Sequence, residues 1–161
     1  PLSNLVVAAV VIDGAGLAAG AGKASAADIT GFEKAHGAIP RGALVFLRTG
    51  WSARWPDTAR YRGTTGGKSA YPGFSEEAVS VLLARGVAGL GIDTLSVDGA
   101  PAPGLPVHQR TLAAGLFHVE NVAGLERLPA TGAVAVVSPL PIVGGSGSPC
   151  RILAFVPRNA K

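Results

Sequence analysis

His108 and Glu120 are the side chains whose types and settings best fit a chemical role. His108 follows a proline-rich loop at the start of a predicted helix, which leaves its ring free to point into a cleft. Glu120 ends an otherwise apolar strand, where a carboxylate is costly unless it is paired or binds a metal. Imidazole nitrogen and carboxylate oxygen form part of a ligand set for zinc or manganese. On residue types alone, the simpler interpretation is a solvated His108 and a Glu120 paired with an arginine.

Two other reactive side chains are weaker candidates. His118 lies two residues before Glu120 and points to the same face of a regular strand. We expect it to pack beside the site or support it. Cys150 is the only cysteine in the sequence. A nucleophilic thiol needs a nearby base and a lowered pKa, and the sequence supplies neither, so we expect a buried structural thiol.

A long segment over residues 49–72 carries Trp51 and Trp55 and follows Arg48. Loops of this length without regular structure are uncommon in compact domains and are often functional. These three side chains would either line a pocket for an aromatic ligand or pin the loop to the body of the domain. We favour pinning.

The elements that position these residues alternate along the chain. Ser25 and Ser75 are predicted N-caps of helices that end at Gly37 and Gly86, and a short helix is predicted over residues 108–114. Apolar runs predict strands over residues 5–12, 43–48, 87–92, 116–120, 133–137 and 151–156. This alternation predicts an α/β fold with at least part of its sheet parallel. No linker interrupts the pattern, so we expect a single domain over residues 1–161.

Composition excludes several classes of protein. The chain has 161 residues, of which 48% are hydrophobic and 15% charged, and this excludes intrinsic disorder. The longest apolar run, residues 5–12, is much shorter than the roughly 20 residues of a membrane-spanning helix. The net charge is +4, but the basic residues are scattered along the chain, which disfavours a nucleic-acid-binding module. We therefore expect a cytoplasmic protein with neither membrane nor nucleic acid as a partner.

Several short strings, taken together and in this order, resemble the metal-dependent cyclase family of bacterial kynurenine formamidases (arylformamidases) and isatin hydrolases. The resemblance extends from about residue 5 to the C-terminus. Each string alone is weak, but the combination is specific. The strings are LRTGW (47–51), PGFS (72–75), GIDTLSVD (91–98), VH (107–108), VEN (119–121), GGSGSP (144–149) and Arg151.

The resemblance implies a swivelling β/β/α type of α/β fold and a homo-oligomer. It implies hydrolysis of a non-peptide C–N bond, in an aryl formamide or a related cyclic amide, by a water that a divalent metal activates. In this family a histidine and a glutamate at the spacing of His108 and Glu120 are ligands of zinc or manganese. The resemblance thus raises both residues to predicted metal ligands.

One part of the family pattern is absent. The family's remaining ligands and its acid/base histidine come from an upstream motif, H-x-G-T-H-x-D-x-P-x-H, and none of His36, His108 and His118 lies in such a pattern. The sequence also lacks methionine and begins at Pro1. We therefore expect that the N-terminal part of the domain is missing, that no catalytic residue lies in this chain, and that the chain alone binds metal weakly and turns over negligibly.

The sequence leaves an alternative function open. A non-catalytic relative, acting as a binding or scaffold domain, would keep the fold without the metal motif. Few charges and high mean hydropathy fit both interpretations, because each would bury apolar surface against a partner chain or segment.

Overall fold

A mixed six-stranded sheet organises the chain. The computed structural model describes residues 2–19, 21–65 and 67–158. The strands of the sheet are β1 (Val6–Asp13), β2 (Leu44–Arg48), β3 (Gly89–Ile92), β4 (Phe117–Val119), β5 (Ala133–Pro139) and β6 (Cys150–Phe155). They lie in the order β6–β5–β1–β2–β3–β4. Strands β1 to β4 are parallel, whereas β5 runs antiparallel to β1 and β6 antiparallel to β5. The predicted α/β class with a partly parallel sheet is confirmed.

Helices connect the parallel strands. The α-helices of the described residues are α1 (Ala26–His36), α2 (Thr58–Arg62), α3 (Glu76–Arg85) and α4 (Pro106–Ala113), with 3₁₀ turns at Leu2–Leu5, Ala15–Ala19, Trp51–Arg54 and Leu125–Arg127. Lys23–Ala24 pairs with Gly73–Phe74, and Thr64–Thr65 pairs with Lys68–Ser69, as short ribbons outside the main sheet.

The predicted caps of α1 and α3 are confirmed. The Ser25 hydroxyl accepts the Asp28 amide while the Asp28 carboxylate accepts the Ser25 amide, which forms the capping box. The Ser75 hydroxyl accepts the Ala78 amide at the start of α3. Gly86 ends α3 with a φ of 67°, in the left-handed region where glycine carries no steric penalty.

Apolar side chains bury both faces of the parallel part of the sheet. On one face, α1 and α3 place Ile29, Phe32 and Leu82 against inward residues of the parallel strands. On the other face, Phe46 and Leu125 belong to a second buried cluster. Because fully burying one such side chain stabilises a fold by about 1.5–3 kcal/mol, the sheet is held from both sides. The end of the sheet from which α4 and the segment after β4 depart is therefore a rigid support.

The segment over residues 49–72 contains short helical elements instead of an irregular loop. Trp51 is buried and donates its indole N–H to the carbonyl of Tyr61, at 2.7 Å. The Arg54 guanidinium stacks 3.6 Å from the Trp51 ring centre. The pinning role is thus confirmed for Trp51. It is wrong for Trp55, which is 65% exposed and meets Tyr61 only at its ring edge.

The prediction of a buried thiol at Cys150 is wrong. Cys150 is exposed because β6 is the edge strand of the sheet and lies mostly in solvent. Among the residues described, no helix has the length and hydrophobicity needed to cross a bilayer.

Candidate metal centre

His108 lies in the first turn of α4, which begins two residues earlier than predicted, at Pro106. Its side chain is 24% exposed. The ring nitrogen Nδ1 lies 2.5 Å from Oδ2 of Asp98, a residue with no exposed surface. A carboxylate has no hydrogen to give, so Nδ1 carries the hydrogen and donates it. The other nitrogen, Nε2, then keeps a free lone pair.

Glu120 directly follows β4, and the fold brings it to His108. Its Oε1 lies 3.5 Å from Nε2 of His108 and accepts the amide N–H of Val97 at 2.9 Å. Within the described part of the chain, the side chain of Glu120 lies beside His108 and does not pair with an arginine. Burial raises the pKa of the Glu120 carboxyl, against the lowering effects of the Val97 hydrogen bond and of His108. The two side chains singled out from the sequence therefore meet.

His118 completes a cluster with these two residues. Its ring stands perpendicular to that of His108, with ring centres 4.6 Å apart. One ligand atom from each of His108, His118 and Glu120 lies within 4.8 Å of the others. The pKa of His118 is lowered to about 4, chiefly by burial and also by the nearby His108, while Asp98 opposes the change. His118 is therefore neutral at physiological pH.

Tyr61 and Asn121 support the segment that carries Glu120. The Tyr61 hydroxyl lies 2.9 Å from Oδ1 of Asn121 and 3.0 Å from the carbonyl oxygen of Asp93. The pKa of Tyr61 is raised to about 12, chiefly by burial and also by the charge of Asp93. The hydroxyl thus stays protonated. Asn121 adopts a φ of 57°, and its amide donates to the carbonyl of Thr94. These bonds hold the turn immediately after Glu120.

Sequence reasoning did not identify three residues that support this cluster. Asp98 bonds to His108, Thr111 bonds to His118, and Tyr61 bonds to Asn121, which follows Glu120. Asp98 is the last residue of the GIDTLSVD string that carries the family resemblance, and this position is the sequence signal that could have identified it. Thr111 lies one helical turn after His108, and no local pattern marks it. Tyr61 lies on α2, inside the segment that showed no periodicity.

The donors of this cluster fit a divalent cation. Two ligands of a tetrahedral zinc ion, each bonded at about 2.0–2.1 Å, lie about 3.4 Å apart, and Nε2 of His108 lies 3.5 Å from Oε1 of Glu120. Imidazole and carboxylate donors suit zinc, and carboxylate donors also suit manganese. A ring whose far nitrogen is held by a carboxylate is the usual form of a metal-binding histidine. The residues present thus suit part of a metal site.

Comparison with curated proteins gives hydrolases. The chain is 34% identical over 134 residues to the isatin hydrolase of Roseibium aggregatum, a match that covers 81% of this chain and 51% of that protein. It is 29% identical over 85 residues to the kynurenine formamidase of Polaromonas naphthalenivorans, which covers 53% of this chain and 38% of that protein. The chain thus spans about half the length of the isatin hydrolase that it matches.

Solved structures agree with the predicted fold. An isatin hydrolase bound to the product analogue thioisatinate superimposes with a TM-score of 0.94 and 32% identity, over 98% of this chain and 63% of that one. A potential metal-dependent hydrolase with cyclase activity gives a TM-score of 0.71 at 25% identity, over 96% of this chain and 67% of that one.

The family model described as "Putative cyclase" matches residues 1–99. This stretch covers more than half of the chain and includes Asp98, although it ends before His108 and Glu120. The family that the sequence resembles is confirmed: this chain belongs to the cyclase family, with isatin hydrolase and kynurenine formamidase among its relatives.

Proposed function

We propose that this chain supplies part of the metal site of an amide hydrolase that opens the C–N bond of an aryl formamide or a cyclic aryl amide. The observation that carries the proposal is the meeting of Nε2 of His108 with Oε1 of Glu120, 3.5 Å apart, with the imidazole oriented by Asp98. The names of the two curated relatives support hydrolysis of this class of bond.

His108 and Glu120 would hold a divalent cation, zinc or manganese. When bound, such a cation activates a water molecule for attack at neutral pH. His108 contributes a nitrogen lone pair, and Glu120 contributes a carboxylate oxygen that Val97 keeps in place. Neutral His118 adds no positive charge beside the cation.

We do not assign to any residue of this chain the role of donating a proton to the leaving nitrogen. In the family this role belongs to a histidine of the H-x-G-T-H-x-D-x-P-x-H motif, which the sequence lacks. A catalytic zinc site has about three protein ligands and a water molecule, whereas the ligands that we propose in this chain are His108 and Glu120 alone. We therefore expect the isolated chain to bind metal weakly and to hydrolyse amides negligibly.

Titration of Zn²⁺ and Mn²⁺ into the chain tests the metal site. We expect H108A and E120Q each to lower the affinity at least tenfold, since each removes one ligand. The matched control is H36A, because His36 is an exposed histidine on α1 that stacks on Phe32. Equal affinity in all four proteins would contradict the site.

Hydrolysis by the protein expressed from its complete gene tests the reaction. An aryl formamide and a cyclic aryl amide are the substrates to compare. We expect H108A and E120Q to abolish turnover and H36A to preserve it. Turnover that survives both of the first two substitutions would overturn the proposal.

We propose that the protein partner of this chain is a second copy of the chain. Register places the exposed apolar side chains of Val134, Leu153 and Phe155 together on the outer face of β5 and β6. A homo-oligomer would cover such a patch, and light scattering measures the size of the oligomer.

We propose a reducing compartment, the cytoplasm, as the location of the protein. The single free Cys150 suits the cytoplasm, where thiols remain reduced.

A further inference from the structure

Helix α4 begins without a cap of its own. Its N-cap residue, Leu105, has a φ of 50° and a side chain that cannot accept a hydrogen bond. Pro106 opens the first turn and has no N–H to donate. The next two amides, those of Val107 and His108, still need acceptors, because the first turn of a helix has no intrahelical partners for its N–H groups.

Asp98 supplies both acceptors from outside the helix. Its Oδ1 accepts the amide of Val107 at 2.7 Å, and its Oδ2 accepts the amide of His108 at 3.1 Å. The residue is completely buried. The neighbouring backbone is also packed tightly, because an ideal Cβ on Gly73 would lie 2.4 Å from the carbonyl carbon of Asp98. The carboxylate therefore has little freedom to move.

The same carboxylate also determines how the His108 ring is presented. Oδ2 of Asp98 lies 2.5 Å from Nδ1 of His108. Because this oxygen accepts both the backbone and the ring N–H of one residue, it ties the ring to the start of α4. Nε2 is then the nitrogen that faces Glu120.

We propose that Asp98 is a positioning residue that couples the start of α4 to the ring of His108, so that Nε2 presents its lone pair toward Glu120. The inference rests on the proposed function, because its consequence is metal affinity. Asp98 acts through His108 rather than as a ligand, since both of its oxygens are occupied by donors of α4.

Two measurements on D98N test this role: the tautomer of His108 by ¹⁵N NMR of the imidazole, and Zn²⁺ affinity by titration. Asparagine keeps the size of the side chain, but its NH₂ group replaces one acceptor oxygen. We expect the wild-type His108 ring to carry its hydrogen on Nδ1. In D98N we expect this preference to be lost and the Zn²⁺ affinity to fall 10- to 100-fold. S75A is the matched control, because it removes the side-chain cap of α3, a bond that involves neither Asp98 nor His108.

Loss of thermal stability alone, with the tautomer and the Zn²⁺ affinity unchanged in D98N, would reduce Asp98 to a helix cap and overturn the inference. A wild-type His108 that carries its hydrogen on Nε2 would overturn it even if D98N fails to fold. A wild-type chain that binds no Zn²⁺ would instead contradict the proposed function, while the tautomer would still report on Asp98.

Discussion

The hydroxyl of Thr111 accepts a hydrogen bond from the imidazole of His118, with Oγ1 and Nε2 2.7 Å apart. The direction of this bond follows from a second one, because Thr111 donates its only hydroxyl hydrogen to the carbonyl of Val107, at 2.6 Å. His118 must therefore carry its hydrogen on Nε2. Its Nδ1 keeps the lone pair, so the orientation of this ring is linked to α4 just as that of His108 is.

Substituting Thr111 by valine should destabilise the chain. Valine matches the shape of threonine but leaves the Nε2 hydrogen of a largely buried His118 without a partner, which costs about 1–3 kcal/mol. Urea denaturation measures the free energy of unfolding. T30V is the control, because Thr30 makes a comparable bond to a carbonyl on α1 at a less buried place. A T111V chain as stable as T30V would show that the bond contributes nothing.

Stability should fall as the pH is lowered from about 6.5 toward 4. His118 has a folded-state pKa of about 4, chiefly through burial, whereas an unfolded histidine titrates near 6.5. Between these values the unfolded chain binds a proton that the folded chain does not, so protons favour unfolding. Denaturation at pH 7, 6 and 5 measures the slope. H118Q should flatten it and H36Q should not; equal slopes in all three proteins would contradict the assignment to His118.

Removing the charge of Glu120 should stabilise the metal-free chain at neutral pH. Burial raises the pKa of this carboxyl, so the group contributes stability in its protonated form at low pH and loses that contribution as the pH rises through its folded-state pKa. Glutamine avoids the free-energy cost of burying a charged carboxylate, and its side-chain oxygen can still accept the Val97 amide N–H. We expect E120Q, measured with a chelator present, to have a higher Tm than wild type at pH 7.5 and a smaller gain at pH 4.5. A lower Tm at pH 7.5 would contradict this cost.

Local signals predicted the helices that carry their own caps. Ser25, Ser75 and Gly86 act within one turn of the helix end that each one defines, so the sequence alone predicts where those ends lie. The start of α4 was predicted two residues late because its cap is Asp98, which lies outside the helix and its flanking residues. Only the folded chain brings that carboxylate to the helix.

In the candidate site, too, some residues could be predicted from the sequence, whereas others are brought to the site only by the fold. The histidine and glutamate were predicted from their residue types and the family resemblance, and the fold brings them together. The supporting bonds of Tyr61 and Thr111 join parts of the chain that no periodicity relates. Helix α2 itself is a single short turn and leaves no amphipathic repeat to detect.

A methyl group at position 73 should disturb both the fold and the site. An ideal Cβ on Gly73 would lie 2.2 Å from the amide nitrogen of Gly99, and these neighbours are backbone atoms that cannot rotate away. G73A must therefore move the segment that carries Asp98, and we expect a loss of about 2–4 kcal/mol in stability together with weaker Zn²⁺ binding. G31A is the control, since a Cβ there has nothing within 4 Å on α1 and a helical alanine gains about 0.5–1 kcal/mol over glycine. If G73A bound Zn²⁺ as tightly as G31A, the position of Asp98 would not depend on this close approach.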